Sequence, residues 1–324
     1  MEPEGKRFDG ALVRPVNRLI QGFLLAKQAE GCSSATLHDY RAGLRHLSRW
    51  MAEVGHEDPG GLTAADLKAF LASLRSLSRP LKPKTIYNVW VALKSFYRWW
   101  SEETGKPSPM ASVPAPKTTV PVIEPLSRDQ VAAILRACDL TREATTTWRR
   151  SFVMRRDTAL RDRAIVLVLL DTGVRAAELC DLKVGDIDLT TGRVIVRKGK
   201  GGRGRTVYLG KAARRAVWRY LSQREDAAAS DPLFVGRNDR PLAGSSLHRL
   251  IRRLGERAGV RNLHPHRFRH SFATEFLRNG GDLLSLQRLL GHRGLEMVRR
   301  YAEITDTDLE RVHRGGSPAD QWRL

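Results

Sequence analysis

The sequence predicts a mainly α chain of two domains: a helical module over residues 1–105 and a mixed α+β domain over 128–324 with a small antiparallel three-stranded sheet. Three observations predict it. Four stretches before residue 105 repeat apolar residues at helical spacing with little strand signal. Residues 106–127 hold six prolines and no helical period, as a semi-rigid linker would. GDIDLTTGRVIVRKGKGGRGRTVYLG alternates β-branched residues between two glycine-bearing turns.

At 324 residues each domain can bury a core. Fifty-six Lys and Arg against thirty-five Asp and Glu leave a net charge of +21, of which +17 lies after residue 105. A polyanion, nucleic acid above all, is the expected partner. No apolar run reaches membrane-spanning length, and the first residues lack the apolar core of a signal peptide, so the expected location is the cytoplasm with no membrane contact. Cys32, Cys138 and Cys180 are far apart, which argues against a disulfide framework or a zinc finger.

In the first domain VNRLIQGFLLAKQAEG is an amphipathic helix. SSATLHDYRAGLRHLSRWMAEVG opens on serine caps and carries Leu37, Tyr40, Leu44, Leu47 and Met51 on one stripe. Thr63 and Asp66 form a cap-like start to the third helix, and the aromatic-rich KPKTIYNVWVALKSFYRWWSEETG is the fourth.

The second domain begins with a helix capped by Ser127. The basic stretch 142–163 lacks a clear period and is longer than an ordinary loop, so Arg149, Arg150, Arg155 and Arg156 form either a phosphate-contacting surface or a solvated insertion. A buried helix then runs into DTG, and a new helix starts at Val174. That puts Arg175 at a helix N-terminus, where backbone N–H groups favour an anion, with Glu178 one turn on. The glycine-rich KGKGGRG lacks the G-K-[ST] step of a phosphate-binding loop, and Asp186 and Asp188, without further carboxylates or histidines, suit turn and strand-edge roles better than a metal. Next come an amphipathic helix, a short strand DPLFV, a turn at Asn238-Asp239, and a helix capped by Ser245 or Ser246. Its Arg249, Arg252, Arg253 and Arg257 line either a DNA groove or a solvated face.

Chemistry concentrates in LHPHRFRHSFATEFLRNGGDLLSLQRLLGHRGLEMVRRYAEI. Pro265 suits the first helical position, and Phe268, Phe272, Phe276 and Leu277 make a buried stripe ended by Gly280-Gly281. His266 and Arg269, three apart, project together, with His270 beside them. Asp282 caps the next helix, Gly291 stops it with His292 on the turn, and Tyr301 follows nine positions later on a third short amphipathic segment.

At these residues the chain resembles the tyrosine recombinase (phage integrase) family. HPHRFRH resembles its H-x-x-R-H box, LLGH its second histidine motif, and Tyr301 falls where its nucleophile is expected. TGVRAAEL, about ninety residues upstream, looks like its first arginine motif. The resemblance covers roughly residues 10 to 310 and implies a SAM-like core-binding domain and a catalytic domain closing as a C-shaped clamp on duplex DNA.

It further implies a site of Arg175, Lys200, His266, Arg269, His292 and the nucleophile Tyr301, supported by Glu178 and His270; Lys198 is the alternative lysine on the hairpin. Guanidinium groups suit the charge growing on non-bridging oxygens of a pentavalent phosphorus. His266 assists proton transfer, the lysine protonates the leaving 5′ oxygen, and His292 hydrogen-bonds the phosphate. The 3′-phosphotyrosyl product retains the energy of the broken bond, so no cofactor and no metal is expected. Arg203, Arg205 and Arg267 join the arginines above as candidate DNA contacts. The implied assembly is a homotetramer, or a heterotetramer with a paralogue, on paired sites. The expected role is integration or excision of a mobile element, to which the 142–163 insertion tilts the reading. Alternatives are Xer-type chromosome or plasmid dimer resolution, a type IB topoisomerase, or a non-catalytic DNA-binding regulator. The C-terminal tail either docks on a neighbouring protomer or folds back.

Overall fold

The computed structural model describes residues 15–118, 123–140, 144–146, 149–152, 154, 156–197, 204–291, 294, 313 and 317. The chain divides into two compact units, Met1–Pro121 and Val122–Leu324.

The first unit is built from α1 (Pro15–Ala29), α2 (Ser34–Glu53), α3 (Ala64–Ser73) and α4 (Pro83–Thr104). Short polar residues set the starts. Ser33 accepts the Thr36 N–H at 3.2 Å, and Thr63 and Asp66 form a reciprocal capping box. Gly105 ends α4 in the left-handed conformation at φ 69°. Phe23, Leu44, Leu47, Met51, Leu67, Phe70, Leu93, Phe96 and Tyr97 form the core. A Cβ on Gly43 would lie 2.9 Å from that of Ala92, so this glycine lets α2 close on α4.

The proline-rich stretch, expected as a semi-rigid linker, is packed down on either side of the boundary between the units. Met110 and Val113 are buried in the first unit's core, with the Trp90 indole donating to the Val113 carbonyl at 3.1 Å. Leu126 is buried in the second unit, its N–H held by Ser271 Oγ at 2.7 Å. Prolines in a sequence mark irregular backbone without saying whether apolar neighbours pack it down.

The second unit holds α5 (Arg128–Asp139), β1 (Ala144–Thr146), β2 (Arg149–Phe152), α6 (Ala159–Thr172), α7 (Ala176–Asp181), β3 (Arg193–Val196), β4 (Arg205–Tyr208), α8 (Lys211–Leu221), α9 (Gly244–Ala258), α10 (Pro265–Arg278) and α11 (Leu283–Leu290). Ala164, Ile165, Val166, Val168 and Leu169 are all fully buried, making α6 the central element. It packs against α5, α8 and α10.

Four local expectations change. The basic stretch after α5 contains an antiparallel hairpin, β1 with β2, rather than only loop. The three-stranded meander is a two-stranded ladder, Arg193–Val196 with Arg205–Tyr208, to which the would-be third strand adds a single bridge, Ile187 to Val194. Asp186 and Asp188 explain why it stops there. Asp186 turns back to the Lys183 N–H, and Asp188 accepts from the Thr190 and Thr191 N–H groups, so side chains take up backbone donors just before the ladder. DPLFV makes only isolated bridges, Lys183–Pro232 and Val235–Pro241, around a buried Leu233 and Phe234. Finally, α9 starts at Gly244 behind Ala243, ahead of the serines expected to cap it. No helix among the described residues is long and apolar enough to cross a membrane.

Candidate active site

The site begins where α6 ends. Gly173 takes the left-handed conformation at φ 60°, and the chain turns into α7 with Arg175 as its N-cap. A Cβ at Gly173 would lie 2.5 Å from the Phe272 ring, so α10 closes directly over this turn. Glu178 folds back on the helix start. Its Oε2 accepts the Arg175 backbone N–H and its Oε1 the Arg175 guanidinium, both at 2.7 Å. The Arg175 side chain keeps 31% of its exposure, against 4% for Glu178, so one end of the guanidinium is anchored while the side chain still reaches solvent.

Arg269 comes from α10 and is 2% exposed. It donates to the Gly173 carbonyl at 2.8 Å and to the Leu290 carbonyl at 2.7 Å. The first bond ends two residues before Arg175, so the arginines meet at one turn. The second fastens the last carbonyls of α11, which have no partner within their own helix.

His266 lies in the first turn of α10. Burial lowers its pKa below the usual 6.5, and the positive charges of Arg269 and Arg175 and the neighbouring His264 and His270 lower it further. The ring is therefore neutral at physiological pH and able to accept a proton. His264 stacks on it at 6.4 Å between centroids, while serving as the α10 cap through Nδ1, which accepts the Arg267 N–H at 3.2 Å. Sequence reading misses His264; its signal is a hydrogen-bonding side chain immediately before a proline at the first helical position. His270, also on α10, bonds the Ile123 carbonyl through Nε2.

Glu178 serves two cations. Arg205, on β4, donates Nη1 to Oε1 at 2.8 Å and Nη2 to Oε2 at 2.7 Å. Burial raises the carboxyl pKa, but hydrogen bonds from Arg205 and Arg175 outweigh that and hold it at about 2.

Of the other expected site residues, Lys198, Lys200, His292 and Tyr301 lie outside the described residues, as do Arg155 and Arg203. Arg149 and Arg150 fall on β2. Three arginines expected to face DNA turn inward instead. Arg205 is one. Arg156 pairs with the fully buried Asp162 at 2.7 Å and donates to the Cys138 carbonyl. Arg267, 8% exposed, donates to the carbonyls of Glu124 and Arg261 and to Gln130. In each case carboxylate or carbonyl oxygens inside the fold claim the guanidinium. Arg249 and Arg253 do face outward, lining a cavity of about 680 Å³ with Arg156, Arg161 and Arg257. Arg252 is 71% exposed, 3.7 Å from Glu256.

The chain matches two family models, the phage integrase family over residues 124–308 and the phage integrase N-terminal SAM-like domain over 19–105. It is 34% identical to tyrosine recombinase XerC of Alcanivorax borkumensis, covering 90% of each chain. It is 30% identical to tyrosine recombinase XerD of Listeria monocytogenes, covering 94% of this chain and 99% of that one. In fold it is similar to XerH site-specific recombinase bound to palindromic difH substrate in a post-cleavage complex, at a TM-score of 0.68 and 20% identity over 95% of this chain and 85% of that one. With one family model spanning more than half of the chain and these relatives matched along nearly all of it, the chain belongs to the phage integrase family, as a tyrosine recombinase of the Xer-like type that breaks and rejoins DNA strands.

Proposed function

We propose that the site cleaves one strand of duplex DNA by attack of the Tyr301 hydroxyl on the scissile phosphorus, displacing the 5′ oxygen and leaving a 3′-phosphotyrosyl link. The observation that carries this is the meeting of Arg175 and Arg269 at the α6–α7 turn, with His266 three residues before Arg269 on α10. A phosphate there would meet two fixed cations at its non-bridging oxygens, where charge grows as phosphorus becomes five-coordinate. Because their anchors hold the cations in place beforehand, little reorganisation is needed during reaction. Tyrosine at its ordinary pKa of about 10 is a weak nucleophile, so its proton must leave as it attacks, and His266 is the acceptor. Lys200, which falls between β3 and β4 in the sequence, gives the departing 5′ oxygen its proton, and His292 hydrogen-bonds the phosphate. Attack by a 5′-hydroxyl of another strand on the phosphotyrosyl link then exchanges strands.

The exposed arginines of α9, Arg249, Arg252 and Arg253, supply backbone-phosphate contacts. The working assembly is four copies on two paired sites. The end-to-end match to XerC and XerD supports chromosome or plasmid dimer resolution as the biological role. Integration or excision of a mobile element is the second reading, favoured by the β1–β2 hairpin inserted between α5 and α6.

The test is covalent trapping on nicked suicide duplexes from a randomised pool, in EDTA and without ATP, comparing the wild type with Tyr301→Phe. An adduct from the wild type alone is expected. An adduct from Tyr301→Phe rules out this nucleophile, and a wild-type adduct that forms only when divalent metal replaces the EDTA rules out the metal-free mechanism.

A further inference from the structure

We propose that Arg205 is a positioning residue for strand cleavage, holding Arg175 through Glu178 and fixing the end of α11 from which His292 follows. The proposal rests on the reading above, in which Arg175 grips the scissile phosphate. Its ground is the use made of a single guanidinium. Both nitrogens of the Arg205 fork end on Glu178, at 2.8 and 2.7 Å, and Nε donates to the Leu289 carbonyl at 2.6 Å. The side chain is 9% exposed, and its Nε, Nη1 and Nη2 are all bonded inside the fold.

Glu178 is thereby saturated. Oε1 accepts from Arg175 and Arg205 side chains, while Oε2 accepts from the Arg175 backbone and from Arg205. With Arg175 alone, this carboxylate could rotate about its last bonds and carry the guanidinium with it. The fork from β4 fixes its plane, because two parallel N–H···O bonds tolerate little rotation. Arg175 is then aimed by a carboxylate that cannot turn.

The other end of Arg205 acts on α11. Arg205 and Arg269 bond successive carbonyls, Leu289 and Leu290, at the helix end where carbonyls are unpaired and the dipole is negative. Gly291 then caps the helix in the left-handed conformation at φ 66°, and a Cβ there would lie 3.1 Å from Arg205 Cδ. Arg205 is packed against the backbone of the residue preceding His292. One side chain joins β4, the start of α7 and the end of α11.

The experiment uses the full chain on a suicide duplex, with single-turnover cleavage at saturating protein and duplex Kd measured separately for Arg205→Lys and Glu178→Asp. Both variants keep a charge at the altered position, which protects the fold. Cleavage should fall about a hundredfold, the scale for misplacing one transition-state donor. Kd should move by less than about threefold, since the groups that meet the DNA backbone are untouched. Replacing the scissile phosphate by a methylphosphonate, which has one non-bridging oxygen fewer to neutralise, should shrink the gap between Arg205→Lys and wild type severalfold. A Kd loss with normal cleavage at saturation would make Arg205 a DNA contact and overturn the proposal. So would an undiminished gap on methylphosphonate, the mark of general distortion. Arg175→Ala separates the two readings: if it cleaves normally, the site assignment itself fails; if it is inactive while Arg205→Lys is normal, only the positioning role fails.

Discussion

Two groups of arginines in the second unit carry the same side chain into opposite uses. Arg269 and Arg205, and one end of Arg175, are bonded inside the fold to Glu178 and to the carbonyls of Gly173, Leu289 and Leu290. On α9, Arg249, Arg252 and Arg253 face outward, with Arg252 in a long contact to Glu256. The first group has its geometry fixed before any ligand arrives. The second is solvated and adjustable, which suits contacts that attract a polyanion without placing an atom. Position in the sequence does not separate them; neighbouring oxygens do.

The strongest way to break this contrast is to remove the shared carboxylate. Glu178→Gln leaves the two guanidinium groups facing a neutral amide, and breaking a buried pair by deleting one partner costs about 3–5 kcal/mol. Urea unfolding should show that loss, and cleavage should fall with it. The pH dependence sharpens the point. The Glu178 pKa is depressed from 4.5 to about 2, so its contribution is complete above pH 4.5 and is lost as pH falls through about 2. That contribution is on the order of 3 kcal/mol. The wild type should lose it in this window and Glu178→Gln should not. Equal acid sensitivity of the two proteins would show that the carboxylate is not the anchor.

A smaller effect is expected on the outward face, and in binding rather than stability. Arg249→Gln combined with Arg253→Gln should flatten the slope of log K against log salt by about 2, at roughly 0.9 for each phosphate no longer neutralised. Unfolding free energy should stay within about 0.5 kcal/mol of wild type, as for other exposed substitutions. An unchanged salt slope would identify α9 as a merely solvated basic face.

The elements that frame the site are legible in the sequence because local chemistry decides them. Pro265 at the first helical position, Asp282 accepting the Ser285 N–H, and Gly173 and Gly291 in the left-handed region stand where their residue types predict. The inward turn of Arg205 is also within reach. Arg205, Val207 and Leu209 alternate onto one face, and Val207 and Leu209 are buried. A charged residue in phase with buried neighbours signals a buried partner, and Glu178 is that partner. By contrast, the β1–β2 hairpin has no local signature, since its stretch is basic and lacks a glycine turn. The α9 start departs from expectation because serine is an ordinary cap, whereas here the cap lies two residues before the first of the serines, at an alanine with no side-chain acceptor. The packing of Met110, Val113 and Leu126 is not legible in the proline-rich stretch, because the cores that take them up are built by residues distant in sequence.

The smallest expected effect tests whether the outward arginines contribute to the fold at all. Arg252 and Glu256 are one helical turn apart at 3.7 Å, with 71% and 52% of their side chains exposed. At that exposure, solvent screening and the entropy of fixing two long side chains offset nearly all of the Coulomb attraction, leaving about 0.3–0.5 kcal/mol. Arg252→Gln should therefore change urea stability by no more than about 0.5 kcal/mol at low salt and by less as salt rises. A loss several times larger, or one that salt does not screen, would mean that this face is held by the protein in the way the Glu178 cluster is, and the division between anchored and adjustable arginines would fail at its clearest point.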